Sequence, residues 1–277
     1  MLAPGVAAGV LVPTSSSSAT PTALKTARYG LGTAATTSPP TPPATAPSAP
    51  APPATAPAST VTTASAVLAA ARLLAASIGA ANAQRGLVWE ATLRGQGSDI
   101  TELTHAGRLD GTEVVTGYRG SKAVVMKLVV IGPRAYAWGN AGALESLLDV
   151  KASVAPKEAG RWLLVPQGRF ANTYQTIAAG LTVSSATQVL DLVGKLSLLP
   201  KRTVLSTAVV GVTGTSLAFG APGTQTVYVR AVGLPLPVEL VEDYQGSFEA
   251  MTFGGWGRPP DAKAPAAPVL FEQSWLT

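Results

Sequence analysis

The chain contains no cysteine and a single histidine among its 277 residues, so several kinds of functional site have no side chains to build them. Without cysteine there is no disulfide, no thiolate metal site, no cysteine nucleophile and, in the chain as given, no lipidated N-terminal cysteine. The histidine, His105, is the only imidazole for a catalytic triad, and no G-x-S-x-G nucleophile elbow accompanies it. A serine hydrolase is therefore not expected.

Metal and phosphate sites also lack their usual signatures. Glu102 and His105 have the spacing of a metal-ligand pair on a helix, but on a strand an offset of three residues places them on opposite faces. No Walker motif is present, and the glycines mark turns instead. Glu239, Glu242 and Asp243 are interpreted as solvated charges at a strand end rather than as acid/base groups. We therefore expect no enzyme activity, no metal and no cofactor.

Charged residues make up only 13% of the chain, and the net charge of +5 is spread thinly along it. No run of Lys or Arg is interleaved with aromatic side chains, so nucleic-acid binding is not expected. An apolar fraction of 47% with so little charge is typical of a β-rich envelope protein.

Residues 1–63 are dominated by Ser, Thr, Ala and Pro, which predicts a disordered N-terminal tether, extended as polyproline II in its Pro-rich part. The apolar run at residues 2–13 is too short to span a bilayer, and no basic residue precedes it as in a signal peptide. A true start further upstream, export through a poor signal and a plain N-terminal extension all stay open. After the tether we expect one folded domain, residues 64–260, and a C-terminal tail, residues 261–277.

The most informative stretch predicts two apolar strands, a tight turn and a short helix. Residues 123–131 hold a single charge among β-branched and other apolar residues, which predicts a strand covered on nearly both faces. Gly132-Pro133 forms the turn, and residues 134–138 continue as an antiparallel partner. Asn140 is a suitable N-cap for a helix. That helix carries three leucines on one side: Leu144, Leu147 and Leu148.

Upstream of that stretch, the pattern changes from helical to strand-like. Residues 64–80 carry apolar side chains at helical spacing, and residues 87–94 alternate as a half-buried strand. Asp110-Gly111 is a hairpin signal that joins predicted strands at residues 99–109 and 112–119.

Downstream, helices return before a last series of strands. Helices are expected at residues 170–181 and 185–199, the second with a capping box formed by Ser185 and Gln188. Short links between the strands favour an antiparallel sheet with the helices gathered on one side. The strand candidates are residues 161–165, 203–210, 212–219, 225–232, 237–244 and 248–253.

Several segments together resemble a known family. The run VVIGPRAYAWGNAGALESLL resembles the strand, Gly turn, Tyr-containing strand and short helix of the LolA/LolB-like lipoproteins of actinobacteria, the LppX/LprG type. GRWLLVPQG, VVGVTGT, TVYVRAVGLPLPVEL and MTFGGWG follow in the order of that family's later strands. The resemblance implies an α+β fold: a strongly curved antiparallel β half-barrel with helices packed on the concave face. It also implies a cavity for lipid acyl chains.

On this basis the leading hypothesis is a non-enzymatic, extracytoplasmic envelope protein that carries a lipid or a lipoprotein acyl chain. Its expected partner is a lipid or acylated molecule, with a membrane surface nearby and no nucleic acid. Strand periodicity predicts which residues line the cavity. They are Leu87, Trp89, Val124, Met126, Leu128, Tyr136, Trp138, Trp162, Leu164, Val227, Val229, Val238 and Leu240.

The alternative hypothesis is an envelope protein-interaction or sensor module whose half-barrel has a filled core. A last expectation concerns the predicted helix at residues 185–199. Gly194 weakens it and its apolar stripe is narrow, so we expect it to act as a movable cover over the cavity.

Overall fold

The computed structural model describes residues 60–95, 97–216, 223–244 and 246–277, without the side chains of residues 60–63. The predicted tether therefore lies outside the described residues, apart from its last four, which begin the first helix. The α-helices are α1 (Thr60–Asn82), α2 (Ala141–Leu148), α3 (Ala155–Glu158), α4 (Ala171–Ala178) and α5 (Val183–Thr187), with 3-10 turns at Gln188–Leu190 and Gln273–Trp275. The strands are β1 (Gly86–Gly95), β2 (Ser98–Gly107), β3 (Asp110–Arg119), β4 (Lys122–Ile131), β5 (Arg134–Gly139), β6 (Leu163–Pro166), β7 (Val193–Leu198), β8 (Arg202–Val204), β9 (Thr207–Ser216), β10 (Gly223–Arg230), β11 (Pro237–Tyr244), β12 (Ser247–Gly254) and β13 (Val269–Leu270).

Within the described residues these strands form one open sheet in the order β13-β6-β5-β4-β3-β2-β1-β12-β11-β10-β9-β7, and β8 also pairs with β9. Every pair is antiparallel except β13 with β6. Most neighbours are joined by short turns, as the short predicted links require. The helices pack on one face, the inner face, and the predicted half-barrel fold is confirmed.

The stretch from β4 to α2 follows the sequence prediction closely. Gly132 adopts a φ of 51° in the turn between β4 and β5, a conformation that favours glycine. Asn140 caps α2 by accepting a hydrogen bond from the Ala143 amide at 2.9 Å. One detail was wrong: Val125 and Lys127 are exposed, so the first half of β4 is covered on the inner face alone.

The hairpin between β2 and β3 exists, but its turn lies two residues earlier than predicted. Arg108 and Leu109 form the loop, and Asp110 and Gly111 belong to β3. A Cβ at Gly111 would lie 2.0 Å from the carbonyl oxygen of Leu181. The glycine therefore permits the close approach of a distant backbone segment rather than making the turn.

The predicted helix at residues 185–199 was wrong. Only α5 and the 3-10 turn after it are helical, and the remainder becomes the edge strand β7. The capping box also lies earlier, because Thr182 is the N-cap and pairs with Ser185. Gly194 adopts a φ of 74°, which no right-handed helix accommodates, and pairing with β9 satisfies the backbone instead.

A second correction concerns the strand predicted to break at Gly211. β9 runs through this position, and the turn before it is made by Leu205 and Ser206, whose φ values are 46° and 64°. A Cβ at Gly211 would lie 2.9 Å from the Tyr228 ring. The residues at 217–219 of the next predicted strand lie outside the described residues.

The two ends of the described chain both join the domain. α1 packs Ala70, Leu74, Ser77 and Ala81 inward. By length and composition Ala64–Asn82 could also cross a membrane. The predicted C-terminal tail contributes β13 and a fully buried Phe271, so it is part of the fold.

Candidate functional site

The inner face of the sheet carries two apolar clusters, one in each half. The first, here called the frame cluster, joins β2 to β6 with α2, α4 and the C-terminal segment. Its buried members include Ile100, Val115, Val124, Met126, Leu128, Leu144, Leu147, Leu163, Ile177 and Phe271. The second, here called the cover cluster, joins β1 and β9 to β12 with α1 and α5. Its buried members include Ala70, Leu74, Leu87, Trp89, Val183, Leu190, Val212, Val227, Leu240 and Met251.

Trp89 places the connection between α4 and α5 over the sheet. Its indole Nε1 donates a hydrogen bond to the carbonyl oxygen of Gly180 at 3.1 Å. Gly180 adopts a φ of 83°, and a Cβ there would lie 3.0 Å from the indole ring. The segment thus rests directly on the ring, which is 1% exposed.

Most of the predicted cavity residues do point toward the helices. Those on β1, β4 and β10, together with Leu240 of β11, are buried in the two clusters. These residues are Leu87, Trp89, Val124, Met126, Leu128, Val227, Val229 and Leu240. They form the apolar wall of the inner face.

The aromatic residues of β5 lie on the opposite, outer face. Trp138 pairs across the strands with the exposed Lys127, whose Nζ lies 5.1 Å from the indole centroid. Tyr136 lies on the same face as Trp138. Leu164 on β6 pairs with Tyr136 and therefore lies on the outer face as well. Small residues such as Ala135 and Ala137 face inward instead, so the predicted aromatic lining is absent here.

Two further predicted residues are outside the clusters for different reasons. Trp162 precedes β6 and is half-buried, while Leu163 and Val165 take the inward positions. Val238 lies at a register shift between β10 and β11 and packs in a small separate cluster with Tyr228. The bulge breaks the alternation on which its selection depended.

Polar side chains interrupt the apolar inner face, and the sequence analysis missed them. The acidic band consists of Glu102, Thr104, Glu113, Gln225, Glu242 and Glu249, all of them buried. Glu242 is 2% exposed, so its interpretation as a solvated charge was wrong. Its neighbours differ: Glu239 pairs with Arg202 on the outer face, and Asp243 is exposed. The sequence does contain a signal for this arrangement. Glu102 and Thr104 alternate with the same period as Ile100 and Ala106 on β2, which places all four on one face.

The strand register groups the acidic band into two parts. Thr104 lies directly opposite Glu113, and Glu102 is the next inward residue along β2. On the other side, Glu242 lies opposite Glu249 and also opposite Gln225. Carboxylates and amide oxygens accept hydrogen bonds, so the band suits a cation or another hydrogen-bond donor.

Two of the neutral members of the band have well-defined surroundings. Gln225 donates from Nε2 to the Val189 carbonyl oxygen at 2.6 Å, which ties β10 to the 3-10 turn after α5. The hydroxyl of Thr104, which is 0% exposed, has no hydrogen-bonding partner among the residues that the structure describes. Among the described residues, no group of three or more His, Asp or Glu side chains is arranged to hold a metal ion.

His105 lies apart from this site. It is exposed on the outer face, whereas Glu102 of the same strand is buried on the inner face, as the predicted offset requires. Elsewhere, a pocket of about 250 Å³ opens at the rim, where the end of α2 meets α4 and the C-terminal residues Leu276 and Thr277.

Comparisons with known proteins support the architecture. No protein-family model and no curated protein matches the chain. The crystal structure of LprF from Mycobacterium bovis is similar with a TM-score of 0.50 and 15% identity, covering 72% of this chain and 98% of that one. The Mycobacterium tuberculosis lipoprotein LppX has a TM-score of 0.48 and 14% identity, with 71% and 99% covered. The likeness to LprF confirms the fold that the sequence resemblance implied.

Proposed function

We propose that this chain is a non-enzymatic, extracytoplasmic envelope protein that holds the acyl chain of a lipid or lipoprotein between its sheet and helices. The observation that carries the proposal is the inner face, where two apolar clusters meet helices that are mostly short. Short helices bury little surface of their own, so they offer a layer that can separate from the sheet. The likeness in fold to LprF supports the proposal.

Burial of apolar surface supplies the driving force. At about 0.8 kcal/mol for each buried CH₂ group, a C16 chain contributes on the order of 10 kcal/mol before ordering costs are subtracted. The acidic band divides the apolar wall, so the acyl chain would lie along one cluster rather than across the carboxylates. The cover cluster is the better binding site for the acyl chain, because the helices that cover it there are α1 and the short α5.

The test uses neighbouring residues on opposite faces of β1. Ala91 is 2% exposed within the cover cluster, and Thr92 is half-buried on the outer face. Ala91→Phe places an aromatic ring between sheet and helices, where the acyl chain would lie, and it should weaken binding of a fluorescent C16 fatty acid at least about tenfold. Thr92→Phe is the control and should bind as the unchanged protein does. Thermal unfolding checks that both variants fold.

A complementary measurement uses protein from its own host. Purified without detergent and extracted with organic solvent, the protein should release an acyl-bearing molecule that mass spectrometry identifies. If no such molecule is present and Ala91→Phe binds the fatty acid as well as Thr92→Phe does, acyl-chain binding is excluded.

A second candidate function, an envelope protein-interaction module, is favoured by the outer face. Leu103 and Val114 lie directly opposite each other on β2 and β3 and are 42% and 41% exposed. Exposed aliphatic side chains mark an interaction surface where they form a contiguous patch, and this pair is a candidate centre for one. A chemically cross-linked partner that survives Ala91→Phe but is lost on Leu103→Glu would favour this function.

A further inference from the structure

The four most exposed large apolar side chains of the described residues all lie in turns. They are Val232, Leu109, Leu205 and Leu234, which are 81%, 75%, 67% and 61% exposed. Leu109 belongs to the β2–β3 turn, Leu205 to the β8–β9 turn, and the other two to the β10–β11 turn. Scattered exposed aliphatic residues are ordinary on a protein surface, so their significance depends on whether they lie together.

The turns that carry them share one end of the sheet, here called the basal end. Because neighbouring strands are antiparallel, the β2–β3, β4–β5, β8–β9 and β10–β11 turns lie at this end, with the links before β1, after β6 and after β12. The Gly132 amide donates to the Leu109 carbonyl oxygen at 3.0 Å, which joins two of these turns. Leu205 and Gly255 border a single shallow recess. The exposed aliphatic side chains therefore project from a common end.

The links of the basal end carry positive charge and no negative charge. They comprise residues 83–85, 108–109, 132–133, 167–169, 205–206, 231–236 and 255–258, in which no Asp or Glu occurs. Four exposed arginines lie in them: Arg85, Arg108, Arg169 and Arg258. None of the four forms an ion pair with another described residue, and the adjacent Asp110 is half-buried at the start of β3. At the opposite end, by contrast, Arg94 pairs with Asp99 and Lys122 with Glu145.

Leu205 is exposed in a backbone conformation that does not favour it. Its φ of 46° lies in the left-handed region, where a side chain as large as leucine is unfavourable and glycine or asparagine is preferred. Ser206 follows with a φ of 64°, so the two-residue turn presents the leucine side chain to solvent. Backbone strain of this kind clusters at ligand-contacting positions, which points to contact with an apolar partner.

We propose that the basal end docks on the surface of an anionic lipid bilayer. The four aliphatic side chains enter the boundary between head groups and acyl chains, and the four arginines donate hydrogen bonds to lipid phosphates. Anionic lipids attract basic residues near the membrane surface, so the charge of the arginines favours this occupant over a neutral apolar partner. The inference goes beyond acyl-chain binding, because it assigns a membrane-contact surface and orients the domain on it.

This orientation brings an edge of the inner face to the bilayer. The connection between α4 and α5 meets the sheet at the basal end, where Thr182 forms a parallel bridge with Gly107, the last residue of β2. α5 begins one residue after Thr182. An acyl chain that leaves the bilayer therefore has a short path to the covered side of the sheet. This consequence rests on the proposed function, whereas the docking itself does not.

Vesicle binding by the full chain tests the apolar contacts. L109S/V232S should lower the affinity for vesicles of phosphatidylcholine and phosphatidylglycerol in equal parts at least about tenfold, measured by co-sedimentation. Y118S/F248S is the matched control, because Tyr118 and Phe248 are also exposed, at 60% and 43%, but lie near the opposite end of the sheet. It should bind as the unchanged protein does. Thermal unfolding checks that both variants fold.

Charge removal tests the arginines. R108Q/R258Q should lower the affinity for the same vesicles at least about tenfold, since each basic residue contributes to binding at an anionic surface. R94Q/K122Q removes the same net charge at the opposite end and should bind nearly as the unchanged protein does. Vesicles of phosphatidylcholine alone should bind the unchanged protein at least about tenfold more weakly.

The absence of cysteine allows contact to be measured at a chosen position. Leu109→Cys provides the only thiol for nitrobenzoxadiazole, a fluorophore whose emission rises and shifts to shorter wavelength in an apolar environment. Vesicles should produce this change at position 109. The same label on Tyr118→Cys should keep its emission when vesicles are added.

Three results would each overturn the proposal: equal vesicle binding by L109S/V232S and Y118S/F248S, equal binding by the two charge variants, or a label at position 109 that vesicles leave unchanged. If that label responds to soluble protein from the host but not to vesicles, the basal end binds a protein and the bilayer is rejected. Acyl-chain binding is decided separately. L109S/V232S should bind the fluorescent C16 fatty acid as the unchanged protein does, and Ala91→Phe should keep its vesicle binding, so failure of one proposal leaves the other standing.

Discussion

The two halves of the inner face are closed in different ways. The frame cluster is held by α2, α4 and the C-terminal segment, and polar bonds fasten each of them to a strand or loop. Asn140 donates from Nδ2 to the Ala123 carbonyl oxygen at 2.9 Å, Tyr174 donates to Gly132, and Lys151 donates to Ser274. The cover cluster is overlaid by α1 and by α5, of which α5 has only five residues.

Among the described residues, fewer side-chain hydrogen bonds fasten the helices of the cover half, where Trp89 donates to the Gly180 carbonyl oxygen. Thr187 donates to Asn82 at 2.6 Å, and Gln225 donates to the Val189 carbonyl oxygen. α1 buries mainly alanines and Leu74, which contribute little area for each turn of helix. The comparison indicates that the frame half fixes the shape of the sheet, whereas the cover half is where a ligand gains access.

The largest expected effect is the loss of an aromatic residue from the frame half. Phe271 is fully buried and packs edge-to-face with Phe170 and Trp275, at centroid distances of 5.4 and 5.5 Å. Phe271→Ala should lower the free energy of unfolding by about 3–5 kcal/mol, measured by urea denaturation. Phe248→Ala, at a residue that is 43% exposed, is the matched control and should cost under about 1 kcal/mol. Equal losses would show that the C-terminal segment is not part of the frame.

Hydrogen exchange compares the halves directly, with a smaller expected difference. Amides of Val183–Thr187 and Gln188–Leu190 should exchange at least about a hundredfold faster than those of β4, since they belong to short helical segments with few backbone bonds. Adding the C16 fatty acid should slow the helical amides and leave β4 unchanged. The movable cover predicted at residues 185–199 would then consist of α5 and the 3-10 turn at Gln188–Leu190 alone. If these amides are protected as well as those of β4, and the fatty acid does not change their exchange, the segment is a fixed part of the fold.

Local patterns predicted the frame half well because its signals lie close together in the sequence. Gly132-Pro133 and Asn140 act within a few residues, so turn chemistry and capping identify β4, β5 and α2. Gly111 was misread as a turn residue, and the break at Gly211 was wrong, because these glycines permit close contacts with Leu181 and Tyr228 respectively. Propensity reasoning has no access to such contacts.

The candidate site was partly predictable for the same reason. Alternation identified which residues of β1 and β4 share a face, but the face that the helices cover is decided by tertiary packing. In β5 the larger side chains, Tyr136 and Trp138, were predicted to face the cavity, whereas alanines occupy the inner face there. Trp138 pairs with the charged Lys127 across the hairpin, and paired residues share a face of the sheet. This pairing alone would have placed Trp138 on the outer face. The acidic band was missed because each glutamate is isolated in sequence and only the register unites them.

The smallest expected effect concerns the bond that fastens α4 to the turn between β4 and β5. Tyr174 donates from its hydroxyl to the Gly132 carbonyl oxygen at 2.7 Å, and burial raises the pKa of this phenol. Tyr174→Phe removes the bond without removing the ring, so it should lower the free energy of unfolding by about 1 kcal/mol at pH 8.

The alkaline side of the stability curve provides the sharper test of the same bond. Because the folded state holds the proton of Tyr174 more tightly than the unfolded state, its contribution is complete below the ordinary tyrosine pKa of about 10 and declines as the pH rises beyond it. Urea midpoints measured from pH 8 to 11 should therefore fall less steeply in Tyr174→Phe than in the unchanged protein. Tyr118→Phe, at an outer-face residue that is 60% exposed, should keep the original slope and the original stability. If Tyr174→Phe keeps the slope as well, the phenol stays accessible to solvent and α4 is fastened by apolar packing alone, which would bring the frame half closer in character to the cover half.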